Sequence, residues 1–533
     1  MSMITATTWV PRGFAAPFPS KYQFDEDEYD RISKLANLQL EDAKEELEEA
    51  QAEAGGKANG ASAKSSKKTY NEDDDDDLKE YDLEHYDDDS EEGAGDTMAM
   101  FGNVKNLVFH ENDEDDPYIT MQGGEEDDDE EREELQILAT DNLVLAGRIE
   151  DEVAHLEVYV YEDEHDNLYV HHDIMLPAIP LAVEWLDLPV GTAAQTANGK
   201  GNFVAIGTMD PDIELWNLDV VDSMYPDAVL GQGAEDAAKG DKPKKKKKKK
   251  SKKVNDDFHV DAVLSLAANR HHRNLLASSS ADKTIKLWDL NTSKAAKSYS
   301  YHTDKVSCVA WHPSESTVLL SGSYDRTVVA ADMRAPDAKA PRWGVESDVE
   351  NVGWDPHEPT YFYVATENGM IHYHDSRNAP ADAGASKPVW MLQAHDESIS
   401  SFDINAVIPG YLVTGSTDKQ VKLWNIQASG PSMVVSRDLG VGRVFSTTFA
   451  PDAEVGFRLA VAGSKGAVQI WDTSTNAAVR AAFASKVPEI KGDGKERLVG
   501  LEEPDTDSDT EEGESDDGEE EGGEEKGWES MEE

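Results

Sequence analysis

The stretch SSADKTIKLWDL (279–290) decides the fold, because it returns in altered form as SYDRTVVAADM (323–333), TENGMIHYHDS (366–376) and STDKQVKLWNI (416–426). Counted at the turn position, Asp282 to Asp325 is 43 residues, and Asp325 to Asn368 is 43 again. Within each copy an alternating apolar run, such as VLLSGS (318–323) or YLVTGS (411–416), reaches a short polar turn and continues as a second run such as TIKLWD. That alternation specifies hairpins with one buried face, so the period belongs to a four-stranded unit and not to a helix pair. An earlier strand in each unit ends on a large apolar residue followed by a turn with proline: VAWHP at Trp311, VGWDP at Trp354, TTFAPD at Phe449. A sheet of this size cannot bury its faces alone, so the copies must stack, and radial stacking closes them into a β-propeller.

The pattern extends beyond the clear copies. AIGTMDPDIELWNL (205–218) gives Asp210 and Trp216, and AGSKGAVQIWDT (462–473) gives Trp471, each Trp six residues after its turn position. A weaker unit, NLVLAGRIEDEVAHLEVYVYED (142–163), brings the count to seven. The grammar resembles that of WD repeat proteins, whose repeats carry a structural tetrad of His, Ser or Thr, Asp and Trp. The expected fold is all-β, a seven-bladed WD40 β-propeller with long acidic, mostly disordered terminal extensions and a short N-terminal helix. His259, Ser278, Asp282 and Trp288 complete the tetrad in the third unit, and His395, Thr414, Asp418 and Trp424 in the sixth. The fourth has His302, Ser321 and Asp325 but Ala331 in place of Trp; the fifth has Asn368 and His374; the seventh has Lys465 where the acid belongs. A His/Asp/Ser set invites a catalytic reading, but sets that recur at repeat spacing belong to the scaffold. The departures in the fourth, fifth and seventh units point to those blades for any specialised surface of the ring.

Charge separates the ring from its ends. The 533 residues hold 109 acidic and 50 basic side chains, a net charge of −59. Residues 1–134 and 488–533 supply −46 of it, in segments such as NEDDDDDLKEYDLEHYDDDSEE (71–92) and DTDSDTEEGESDDGEEEGGEE (505–525). Such segments repel themselves and have little to bury, so they read as disordered until something basic binds them. The domain reading is an acidic extension over 1–134, a propeller over 135–487 and an acidic tail over 488–533. Cys308 is the single cysteine, which rules out an internal disulfide and a cysteine metal cluster and suits a reducing compartment. The start carries no basic region leading into an apolar core, and no stretch reaches membrane-spanning length, so neither export nor a membrane is expected. No cofactor, metal site, small-molecule substrate or catalytic motif is expected either.

Four decorations remain as candidate sites. DKPKKKKKKKSKK (241–253) interrupts the chain between the second and third units; its lysines, Lys242, Lys244, Lys245, Lys246, Lys247, Lys248, Lys249, Lys250, Lys252 and Lys253, suit nuclear import or a sequence-independent grip on RNA phosphate. Residues 7–24 set Trp9, Arg12, Phe14 and Phe18 among prolines, as an apolar anchor for a groove on a partner or for the propeller itself. A helix is expected over about 25–53, with Ile32, Leu35, Leu38, Ala43 and Leu47 on one face. Lys283, Arg326, Lys419 and Lys465, each at or beside the turn before a last strand, would form a cationic face, with NRHHRN (269–274) as a further basic turn, although Lys or Arg there is ordinary for such repeats. Thr506 and Ser508, each with an acid three residues on, resemble acceptors of acidophilic kinases.

Taken together, WVPRGF (9–14), DDLKEYDLEHYDDD (76–89), DPYIT (116–120), the block DNLVLAGRIEDEVAHLEVYVYED (141–163), LYVHHDIMLPAIPLAVEWLD (168–187), the lysine segment, ADKTIKLWDLN (281–291) and GPSMVVSRD (430–438) resemble the periodic tryptophan protein one family of nucleolar WD-repeat proteins. The resemblance implies a non-enzymatic assembly factor for the large ribosomal subunit. Its partners would be pre-60S assembly factors, ribosomal proteins and rRNA, its location the nucleus and nucleolus, with a further association with ribosomal DNA chromatin. The alternative is a histone-binding protein or chaperone acting at ribosomal DNA.

Overall fold

Seven four-stranded antiparallel sheets form most of the described part of the protein. The computed structural model describes residues 2–22, 132–133, 135–191, 199–232, 253–335, 338–484, 486 and 496–500. In each blade the strands run in order from the inner edge outward, as in blade three: Val263–Ala268, Leu275–Ser280, Ile285–Asp289 and Lys294–Tyr299. Blades four, five and six repeat this with inner strands Val306–Trp311, Val349–Trp354 and Ile399–Ile404. Blade two begins at Pro180–Leu186 and blade seven at Val444–Phe449. The seven-bladed WD40 propeller expected from the repeat is the fold.

Blade one departs from the sequence expectation. Its second, third and fourth strands are Asn142–Glu150, Val153–Glu162 and Asn167–Leu176, but its inner strand is Ser2–Val10. Ser2 pairs with Glu150 and Val10 with Leu143 across the antiparallel register. The propeller therefore starts at residue 2 and not at 135, and the acidic stretch is an insertion between the first two strands of one blade. At the other end, Arg497–Gly500 is the outer strand of blade seven, inside the segment read as acidic tail. The two boundaries differ from the expectation for one reason: each strand is separated from its pairing partner by a long intervening stretch, acidic at the first boundary and containing the helix Ala477–Ala482 at the second, that ends any local pattern. The helix expected over 25–53, the kinase-site residues Thr506 and Ser508, and the lysines of 241–253 other than Lys253 lie outside the described residues.

The core sits between blades. Trp288 packs with Leu266 and with Leu215 of blade two, Trp471 with Tyr411 and Leu423 of blade six, and Trp343 of blade four against Phe362 of blade five, at 5.0 Å between ring centroids. Hydrogen bonds tie the inner strands around the axis: Thr5 Oγ1 donates to Pro180 O (2.7 Å) and Ser307 Oγ to Val349 O (2.6 Å). The ring has two faces. The upper face carries the turns between second and third strands and the connections between blades; the lower face carries the other turns.

Candidate interaction surfaces

The His/Asp/Ser sets are closed scaffold. In blade three, Ser278 Oγ lies 2.7 Å from His259 Nε2 and accepts from Trp288 Nε1 at 2.8 Å, while His259 Nδ1 sits 2.9 Å from Asp282 Oδ2. Blade six repeats the arrangement: Thr414 Oγ1 meets His395 Nε2 at 2.8 Å and Trp424 Nε1 at 3.0 Å, and His395 Nδ1 meets Asp418 at 2.8 Å. Ser278 and Thr414 are fully buried with their oxygens already engaged, so neither can reach a substrate. Burial alone would raise the Asp282 carboxyl, but hydrogen bonds from His259 and Thr284 outweigh it and hold it down at about 2.

Two of the departures from the tetrad are interior as well, whereas Asn368 and Lys465, at the acid's place in blades five and seven, are exposed. Ala331 and His374 are buried, so these departures alter packing between blades and do not create surface. His374 occupies the Trp position of blade five with Val364 where the Ser belongs; its ring stacks on Phe362 at 5.3 Å, and neither nitrogen finds a hydrogen-bond partner among the described residues. Burial, with His372 nearby, pushes its pKa down to about 4. Because the unfolded side chain titrates near 6.5, the unfolded state takes up a proton that the folded state refuses. This contribution to stability is present above pH 6.5 and lost as pH falls towards 4. His374→Leu should therefore raise stability by about 1 kcal/mol at neutral pH, since an unpaired buried polar group is replaced by an apolar one. Its advantage over the parent should widen between pH 6.5 and 4, as read from urea unfolding at several pH values.

The expected cationic face resolves into turn geometry. Lys283, Arg326 and Lys419 have φ of +70°, +63° and +69°, the left-handed third position of the upper-face turn. Lys283 Nζ donates to Thr303 O (2.9 Å) and approaches Asp304 (3.5 Å), and Arg326 Nε reaches Asp348 (3.2 Å), each on the connection into the following blade. These two side chains thus staple neighbouring blades and are partly neutralised there. Lys465 is not their equivalent: it stands one position earlier, and Gly466 (φ +72°) holds the left-handed place. NRHHRN lies on the opposite, lower face, where Arg270 stacks over Trp185 and pairs with Glu184, and Arg273 pairs with Asp187.

The anchor residues dock onto their own ring. Trp9 is buried, packs edge-on against Tyr161 and donates from Nε1 to Thr448 O of blade seven at 3.1 Å. Trp311 and Trp354 make the same bond to Ala267 O and Ala310 O of their preceding blades, so Trp9 is a repeat residue in its regular place. Arg12 bridges to Glu454 (2.8 Å) and Asn142 (2.7 Å), and Phe14 meets Trp185 edge-on at 4.8 Å. Ser20–Lys21 then pairs in parallel with Val220–Val221 of blade two. Of the four, Phe18 is the one with substantial exposure. A partner groove is thus not what Trp9, Arg12 and Phe14 fill. The recurrence of Trp-x-Pro at 9–11, 311–313 and 354–356 is the signal that marks this strand.

With the geometry placed, comparison with known proteins separates fold from family. A model described as WD domain, G-beta repeat matches residues 253–289, 293–329 and 386–425. An uncharacterized WD repeat-containing protein of Schizosaccharomyces pombe is 50% identical over 509 residues, covering 94% of this chain and 95% of that protein. Periodic tryptophan protein 1 of Saccharomyces cerevisiae is 40% identical over 537 residues, covering 93% of this chain and 92% of its own. The chain belongs to the periodic tryptophan protein 1 family. The Drosophila melanogaster homolog of periodic tryptophan protein 1 is more distant, at 29% identity over 66% of this chain and 72% of its own. Likeness to the two yeast proteins extends far beyond the three windows of the repeat model.

Proposed function

We propose that the chain is a non-catalytic WD-repeat scaffold that acts in assembly of the large ribosomal subunit in the nucleolus, holding precursor particles through protein partners and rRNA phosphate. The observation that carries this reading is the segregation of charge: −46 of the net −59 sits in 1–134 and 488–533, while ten lysines are gathered within 241–253 of the same chain. A particle that exposes both RNA phosphate and strongly basic protein offers a partner for each sign. The family resemblance points the same way, and the His/Asp/Ser sets are committed to packing. Affinity purification of the tagged full chain, followed by sequencing of bound RNA, is expected to enrich large-subunit precursor rRNA, with the association weakening as salt rises. Recovery of histones that survives RNase, with no rRNA enrichment, would replace this reading with the histone-chaperone one.

A further inference from the structure

The upper face is chemically uneven. In blades three, four and six the left-handed turn position carries Lys283, Arg326 and Lys419, whereas in blade one Glu152 takes a left-handed position (φ +78°) and the blade-two turn reads Asp210-Pro211-Asp212. Among the described residues, four exposed large apolar side chains of this face gather at the same two blades, and a fifth, Val254 (51%), is on the connection from blade two into blade three. Val153 is 44% exposed at the start of a third strand, Met175 61% at the upper end of the outer strand, Ile179 40% on the connection between the blades and Met209 55% in the blade-two turn. The backbone joins two of them directly, Met209 N–H donating to Ile179 O at 2.9 Å. Glu150, Glu152, Asp173 and Asp210 stand exposed around them, and the nearby Arg148 is already committed to Glu157 (2.9 Å) and Glu150 (3.2 Å). Apolar side chains left in water together mark a contact surface, and methionines conform to partners of varied shape.

We propose that the upper face of blades one and two is a docking surface for a basic amphipathic segment of a partner protein. Apolar residues at three- or four-residue spacing would cover Met175, Ile179 and Met209, and flanking Lys or Arg would meet the acidic rim. The carboxylates exclude RNA phosphate as the occupant by repulsion. The proposal rests on the assembly reading for the source of the segment, a basic protein of the precursor particle, and not for the chemistry of the face.

The test uses the full chain and a labelled peptide of about 18 residues, leucines at helical spacing and lysines elsewhere, beside a matched peptide with serine for each leucine. The acidic extensions attract both peptides equally, so the contrast between them reads the apolar surface. Wild type should prefer the leucine peptide by about tenfold or more in Kd. Met175→Lys with Met209→Lys should abolish the preference, while the control pair Met391→Lys with Met433→Lys leaves it intact. Three peptide-binding results would overturn the proposal: no preference in the wild type; a preference unchanged by the blade-one and blade-two pair; or a tenfold gain on deleting 233–252, which would assign the face to the chain's own lysine segment. Concentration-dependent dimerisation that the Met175/Met209 pair relieves would assign it to a second copy and overturn it likewise. Because the assay contains no particle, its failure leaves the rRNA co-purification result standing.

Discussion

Deleting residues 1–22 is expected to open the ring and remove cooperative unfolding of the propeller. The deletion strips blade one of its inner strand, whose register with 142–150 runs from Ser2 to Val10, and exposes the inner edge of the blade. It also removes the hydrogen bonds that join blade one to blade seven, Thr7 Oγ1 with Ser446 Oγ at 2.8 Å and Trp9 Nε1 to Thr448 O at 3.1 Å. Trp9→Ala alone should cost about 3–5 kcal/mol, a large share of the roughly 5–15 kcal/mol that holds a typical domain. Differential scanning calorimetry of the full chain against the deletion checks this, and a synthetic peptide of residues 1–22 added in trans should restore the transition. A deletion variant that melts like the parent would show that the segment is dispensable to the ring and free for a partner.

The second large effect lies in the blade-three tetrad. Asp282 accepts from His259, from Val260 N–H (3.2 Å) and from Thr284 N–H (2.9 Å), all at a buried turn. Asp282→Ala strands those donors and should cost about 3–5 kcal/mol in denaturant unfolding. The equivalent change in blade five, Asn368→Ala, should cost under about 1 kcal/mol, because Val345 and Val364 stand where the His and Ser belong. The carboxyl of Asp282 is held below its unfolded value, so its contribution is full above about pH 4 and is lost as pH falls towards 2. Wild type should lose stability over that range while Asp282→Ala loses correspondingly less; equal acid loss in both would refute the assigned role.

The blades were legible where four strands follow one another without interruption. Asp282, Asp325 and Asp418 mark the turns of blades three, four and six because the same His–Asp contact recurs at each, and local pattern carries it. Ser2–Val10 was illegible as a strand of blade one because pairing with 142–150 is decided by ring closure across a long acidic insertion, a non-local term that periodicity does not encode. Trp9 reads locally as part of an anchor for the same reason, although Trp9 and Pro11 repeat Trp311 and Pro313. The cationic positions were legible, as was the ordinary place of Lys or Arg in this turn; what sequence does not display is that Lys283 and Arg326 spend their charge on Asp304 and Asp348 of the next connection. The apolar cluster of Val153, Met175, Ile179 and Met209 comes from four separated positions that only the closed ring gathers, so no window of sequence displays it.

Under the proposed function, this ring is a binding scaffold on large-subunit precursors. Crosslinking with mass spectrometry and RNA sequencing, performed on the full chain in its native particle, tests it most directly. The expected map joins the chain to large-subunit precursor rRNA and to basic proteins of that particle, with protein crosslinks from the upper face of blades one and two. Crosslinks confined to histones, or a map with no ribosomal RNA or protein, would contradict it.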